Sequence, residues 1–176
     1  EDNYKDHQQV KDLIDSIKKI NIDLIISIDH EGGRVQRFKK NFTHLPSFES
    51  ISKIRDPLER ERLAMCCGFI AGYELSEIGI NMNYSPVIDI SHPSSKLLKD
   101  RTFGSDIDSV VTLSLSYIKG IIKAGVMPVL KHYPGHGNVK TDTHTEICAT
   151  EMDLQNLFNR DLIPFIEVLK SYSLPI

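Results

Sequence analysis

Leu24-Ile25-Ile26-Ser27-Ile28-Asp29-His30-Glu31-Gly32-Gly33 decides the fold. Its first half is short, β-branched and continuous, the form of a strand buried on both faces in a parallel sheet. Two acids and two glycines follow at once, and they turn the chain out of that sheet. Upstream, Val10, Leu13, Ile14 and Ile17 recur at helical spacing, so residues 8–20 read as an amphipathic helix. Downstream, Asp56-Pro57 supplies an N-cap and a first-turn proline. The helix they open reaches Ile78 and buries Leu63, Cys67, Ile70, Ala71, Leu75 and Ile78. Gly79 ends it, and residues 80–84 read as a second strand. The pattern then repeats. Ser105 or Asp106 opens a helix bearing Ile107, Val110, Val111, Tyr117, Ile118, Ile121 and Ile122. Gly125 closes it before Val126-Met127-Pro128-Val129-Leu130, a third strand whose regular pairing Pro128 weakens.

Helix, glycine and buried strand in repetition predict an α/β fold of right-handed parallel units. Polar residues gather just after each strand: Asp29 to Gly33, Ser85-Pro86, and Lys131-His132. Parallel α/β proteins, barrels above all, collect their chemistry there. An eightfold barrel typically takes about 250 residues. Three strands in 176 residues therefore predict part of a (β/α)8 barrel.

Composition narrows the function classes. With 40% hydrophobic and 26% charged residues the chain has ordinary globular usage. Lys plus Arg number 21 and Asp plus Glu 24, a formal charge of −3 with no basic cluster, which gives no electrostatic case for nucleic acid. No apolar run approaches the roughly 20 residues of a membrane-spanning helix. The cysteines, Cys66, Cys67 and Cys148, have no zinc or disulfide spacing and read as small buried hydrophobes in a reducing compartment.

Two constellations carry chemistry. The first is Lys131-His132-Tyr133-Pro134-Gly135-His136-Gly137-Asn138-Val139-Lys140-Thr141-Asp142-Thr143-His144. His132, His136, Asp142 and His144 invite a metal reading, but Pro134, Gly135 and Gly137 break the helix on which a four-residue His step would work. Asp142 and His144 are two apart and point the same way in an extended loop, so the carboxylate can orient the ring for acid/base catalysis. A plain solvated loop stands beside both readings. The second is Ile28-Asp29-His30-Glu31-Gly32-Gly33-Arg34-Val35-Gln36-Arg37-Phe38. It suits hydrogen bonding to sugar hydroxyls, with a surface salt-bridge cluster and a weak phosphate loop as alternatives; neither known glycine spacing for phosphate is present.

These segments resemble, in order, the motifs of family 3 glycoside hydrolases of the bacterial β-N-acetylhexosaminidase type. Residues 28–38 look like that family's signature, and Tyr84-Ser85-Pro86-Val87-Ile88-Asp89-Ile90 its next strand end. Arg101-Thr102-Phe103-Gly104-Ser105-Asp106 is similar to its Arg-x-Phe-Gly segment, and residues 131–144 to its Lys-His-Phe-Pro-Gly-His-Gly loop ending in Asp-Ser-His. The likeness covers nearly the whole chain. It implies a TIM barrel, here incomplete in its first strand and its C-terminal strands, with residues 1–176 as part of the family's N-terminal domain. It also implies retaining hydrolysis of terminal β-linked N-acetylglucosamine, in the cytoplasm, during recycling of cell-wall peptidoglycan. By position, His144 is the general acid/base and Asp142 its orienting partner, while Asp29, Arg37, Arg101, Lys131 and His132 hold the sugar. His30 stands where Gln is usual, Asn138-Val139 where Asp-Thr is common, and Thr143 where Ser is common; these changes touch none of the named roles.

The resemblance further implies a nucleophilic Asp in a Ser-Asp-Asp context beyond the acid/base loop, and the 176 residues contain no such motif. Retaining chemistry needs that nucleophile, so the 176 residues alone are expected neither to catalyse nor to form a stable monomer. Other family 3 β-glycosidases, a phosphorylase and a non-catalytic sugar-binding remnant are the competing readings. The expected partner is a small carbohydrate substrate, with no cofactor and no metal.

Overall fold

The computed structural model describes residues 4–93, 95, 97–139 and 152–176. Helix α1 (His7–Lys18) starts where the Asp6 carboxylate accepts the Gln9 backbone N–H, and it buries Val10 and Ile14. Strand β1 is Ser27–Ile28, shorter than the run 24–28 suggests. Leu24 and Ile25 are exposed, not buried. β1 is the outer strand of the described sheet, so its beginning has a neighbour on one side only. The Ile26 N–H there donates to the side chain of Asn81 at 2.8 Å rather than to another strand.

Helices α2 (Phe48–Ser52) and α3 (Pro57–Glu77) lead to β2 (Met82–Asn83). Asp56 caps α3 through the Leu58 N–H, as its place before Pro57 predicts. A 3-10 turn at Lys99–Arg101 precedes α4 (Ile107–Lys123), which Asp106 caps through the Ser109 N–H. Strand β3 is Met127–Pro128. The strands are parallel in the order β1-β2-β3, with Ser27 beside Met82 and Met82 beside Met127. Pro128 is tolerated for a geometric reason. Met127 and Val129 turn their N–H groups to Asn81 and Asn83 of the β2 segment, so the missing donor of Pro128 falls on the other side. On that side Leu130 N–H donates to Pro175 O at 3.0 Å. The C-terminal part comprises α5 (Leu154–Asn156), a π turn (Leu157–Asp161) and α6 (Ile163–Ser171).

The core lies where α3 and α4 cover the sheet. On α3, Cys67, Ala71, Leu75 and Ile78 are buried as expected, but Leu63 and Ile70 are only half-buried, while Ala64, Gly68 and Gly72 are also inside. Small residues win because the helix backbones nearly touch. A Cβ on Gly68 would run into Tyr117 O, and one on Gly120 into Met65 O. The same packing separates the adjacent cysteines. Cys67 faces the core, where burial and then the neighbouring Cys66 raise its thiol to about 11, while Cys66 is exposed. That corrects the reading of both as buried; Cys148 lies outside the described residues. Phe48 of α2 packs on Phe103 (ring centroids 4.6 Å apart) and Tyr117 of α4 (5.2 Å), tying the loop after β2 to the core.

Candidate active site

Three strand ends deliver the site. Past β1, the Asn83 side chain receives the His30 N–H at 3.0 Å and donates to His30 O at 2.8 Å. This amide clasp continues the ladder for one residue and fixes how Asp29 and Glu31 leave the sheet. Gly32 and Gly33, at φ of 111° and 54°, then let the chain double back, with Glu31 N–H donating to Val35 O at 2.8 Å. Buried Gln36 holds the loop beyond, donating to Phe38 O and Thr43 O and accepting from the Leu45 N–H. Past β2, Leu98 and Phe103 are buried on either side of the 3-10 turn and pin Arg101 between them. Past β3, Lys131 bridges Val87, and its carbonyl accepts the Ile88 N–H at 3.0 Å. That pairing carries Asp89 alongside His132.

The side chains then converge. Lys131 Nζ lies 2.5 Å from Asp29 Oδ1 and 2.6 Å from Glu31 Oε1. Arg101 donates twice to Glu31, through Nε at 2.9 Å and Nη2 at 2.7 Å. Glu31 is 3% exposed, so these two cations are what make its burial affordable. Arg37 reaches the other oxygen of Asp29, Oδ2, at 3.4 Å. Burial pushes the Asp29 carboxyl up, but Lys131, Arg37 and Arg101 outweigh it and hold it below the usual carboxylate range. Fully buried Asp89 accepts from both the His132 N–H (3.1 Å) and His132 Nδ1 (2.6 Å), which turns Nε2 toward Arg101 Nη2 at 3.4 Å.

A cavity of about 270 Å³ opens among Asp29, Tyr84, Leu97, Arg101, Lys131, His132 and His136. Small-ligand pockets run from roughly 300 Å³ upward, so this one has room for a single small ring. Its wall offers an ionised acceptor (Asp29), two cationic donors (Lys131, Arg101) and an oriented imidazole. That set matches a molecule whose surface alternates hydroxyl donors and acceptors.

The structure brings together four of the five residues expected to hold the sugar, and sets Arg37 behind them against Asp29. Asp142 and His144 lie outside the described residues. Among the described residues no group of three His, Cys, Asp or Glu side chains is placed to hold a metal ion. Sequence reasoning assigned no role to Glu31 or Asp89. Asp89 carried a signal nonetheless, as a charge inside the apolar run Val87-Ile88-Asp89-Ile90.

The sequence model described as glycosyl hydrolase family 3 N terminal domain matches residues 1–174. The chain belongs to glycosyl hydrolase family 3. Among its relatives, a beta-hexosaminidase of Psychromonas ingrahamii is 36% identical over 173 residues, which is 98% of this chain and 51% of that protein. One from Hydrogenovibrio crunogenus is 34% identical over 172 residues, covering 96% of this chain and 48% of the relative. In three dimensions, native NagZ of Neisseria gonorrhoeae superposes with a TM-score of 0.92 at 34% identity, over 99% of this chain and 53% of that one. The gonococcal protein has also been solved with N-trifluoroacetyl-D-glucosamine and with a zinc ion. This family 3 chain thus spans about half the length of the curated relatives it matches.

Proposed function

We propose that this family 3 chain carries the sugar pocket of a β-N-acetylhexosaminidase, which removes terminal β-linked N-acetylglucosamine with retention. The observation that supports this most is the convergence of Asp29, Arg101, Lys131 and His132, from separate strand ends, on one 270 Å³ cavity. In a family whose relatives are named beta-hexosaminidase, and one of which is solved with an N-acyl glucosamine, such a wall is a sugar-binding wall. Asp29, Arg37, Arg101, Lys131 and His132 hold the ring by its hydroxyls. His144 protonates the departing glycosidic oxygen, with Asp142 orienting its imidazole, and later takes a proton from the incoming water. The nucleophilic Asp that forms the glycosyl-enzyme between these steps belongs, in this reading, to the part of the enzyme's length that the 176 residues do not span.

The same reading extends the fold to a (β/α)8 barrel. Its support is a parallel sheet whose spatial order follows the sequence without reversal, and a segment near Pro175 that meets the free side of β3. A cytoplasmic place in the recycling of cell-wall fragments goes with this assignment. Among the described residues no helix is long and apolar enough to cross a membrane.

The test is hydrolysis of 4-nitrophenyl N-acetyl-β-D-glucosaminide by a protein of the relatives' full length, with the unacetylated glucoside as control. Turnover of the first and little of the second is expected. In that protein His144→Ala should lose roughly 10²–10⁴-fold on a natural disaccharide, whose leaving group needs a proton. Near-normal disaccharide turnover by the variant would remove His144 from its role. Sugar binding without any turnover would leave a lectin-like remnant, and phosphate-dependent release of a sugar phosphate would make the enzyme a phosphorylase.

A further inference from the structure

We propose that Asp161 is a positioning residue for this pocket: from the π turn before α6 it clamps the glycine-rich loop that presents His132 and His136. The inference rests on reading the pocket as a glycosidase site. Asp161 is 2% exposed and lies outside the cavity wall, so it does not touch a sugar bound there. It meets the loop at Gly135, where a Cβ would fall 2.6 Å from the Asp161 Cβ, and near Gly137, where a Cβ would lie 3.6 Å from Asp161 Oδ1. Asn138 Nδ2 donates to Asp161 Oδ2 at 3.3 Å. Arg160 holds the other oxygen at 3.2 Å while its Nη2 donates to Ser91 O at 3.4 Å, two residues past Asp89.

The loop is therefore gripped from two sides. Asp89 takes the His132 N–H, His132 Nδ1 and the His136 N–H at 2.6–3.1 Å from the sheet side. Asp161 takes the Asn138 amide from the helix side, and Arg160 links the two grips through Ser91. Between them the loop closes on itself, with the Gly135 N–H on His132 O at 2.8 Å and the Val139 N–H on His136 O at 3.2 Å. Close approach to Asp161 and to Ile90 O explains glycine at both 135 and 137. Burial, then the charge of Asp89, raise the Asp161 carboxyl against the opposing pull of Arg160 and Asn138, so this group is held at a cost that the loop geometry must justify. Groups that orient a substrate for reaction tolerate little misplacement, and about 1 Å can cost a hundredfold in rate.

The experiment uses a protein of the relatives' full length and three variants, Asp161→Ala, Asp161→Asn and Asn138→Ala. Two readouts are followed, steady-state kinetics on the chromogenic N-acetylglucosaminide and the imidazole NMR signals of His132, His136 and exposed His44. Asp161→Ala should lower kcat tenfold or more with KM within threefold. It should shift the His132 and His136 signals and leave those of His44 in place. Asp161→Asn, which keeps an acceptor, should recover part of kcat. Asn138→Ala, which opens the same contact from the loop side, should move kcat and both rings in the same direction even if Asp161→Ala fails to fold. Folded variants with unmoved His132 and His136 signals and normal kcat overturn the proposal, as does lost thermal stability with kcat per folded molecule unchanged. If the unmutated protein turns over no N-acetylglucosaminide, the functional reading has failed, and the imidazole signals alone decide the role of Asp161.

Discussion

His30 shows at the scale of one residue what the sequence hides. In the sequence it stands out only by occupying a position where the resembled family has Gln, yet its ring is fully buried, about 6 Å from the rings of Phe38 and Phe42. Among the described residues neither ring nitrogen has a hydrogen-bond partner. Burial lowers its pKa to about 4; the Asp29 charge opposes this and Arg37 adds to it. The unfolded chain, with a His near 6.5, therefore binds the proton more readily than the folded one between those values. Stability from neutral His30 is complete above about pH 6.5 and is lost as pH falls toward 4. Between pH 7.5 and 5 the loss should be about 2 kcal/mol, from roughly 1.4 kcal/mol per unit. His30→Met, which fills the space without a proton site, should remove that part of the pH dependence in urea titrations. Equal slopes for both proteins would show that the folded ring takes up its proton freely. By contrast Asp29, Lys131 and His132 were legible, because charged groups at strand ends in a parallel fold have one place to go. Glu31 and Asp89 were harder, since a buried carboxylate is recognised by its partners, and Lys131, one partner of Glu31, lies 100 residues away in sequence.

Whole elements were legible in kind and less so in extent. Caps and glycines located α3 and α4 to within a residue or two, because Asp56 and Asp106 act through local hydrogen bonds. Strand length was overestimated: pairing depends on a neighbour, and apolar composition does not report one. On α3 the pattern finds buried Cys67, Ala71, Leu75 and Ile78 but not Ala64, Gly68 and Gly72, for a related reason. Periodicity points to large side chains, whereas the contact with α4 is made where there is least side chain. This leads to an expectation opposite in sign to helix propensity. Alanine for glycine in a helix gains up to about 1 kcal/mol in propensity, but here the added methyl group meets backbone, Tyr117 O for Gly68 and Met65 O for Gly120. Overpacking of this kind costs about 1–3 kcal/mol. In a protein of the relatives' full length, Gly68→Ala and Gly120→Ala should each lower the melting temperature by a few degrees. A raised melting temperature for either would mean that the helices separate freely.

At the scale of the molecule, the sheet and its covering helices leave apolar surface uncovered in a consistent place. Ile20, Ile22 and Ile25, before β1, are 85%, 75% and 64% exposed. On the opposite flank Ile122, Met127, Tyr172 and Leu174 line an open groove beside Asn81. β1 has a strand on one side only among the described residues. A barrel closes both flanks by bringing further strands and helices against them, and family relatives are about twice as long as the span matched here. Each Ile or Leu left in water forgoes about 1.5–3 kcal/mol, against a net stability of about 5–15 kcal/mol for an intact domain. The 176 residues produced by themselves should therefore bind a hydrophobic dye such as anilinonaphthalene sulfonate and associate with rising concentration. A protein of the relatives' full length should bind little dye and show N-acetylglucosaminidase turnover that the shorter polypeptide lacks. A monodisperse 176-residue polypeptide with cooperative unfolding and no dye binding would show that these flanks need no cover. Turnover by it would place a nucleophile among its own carboxylates, with Asp29 on the cavity wall the first to replace.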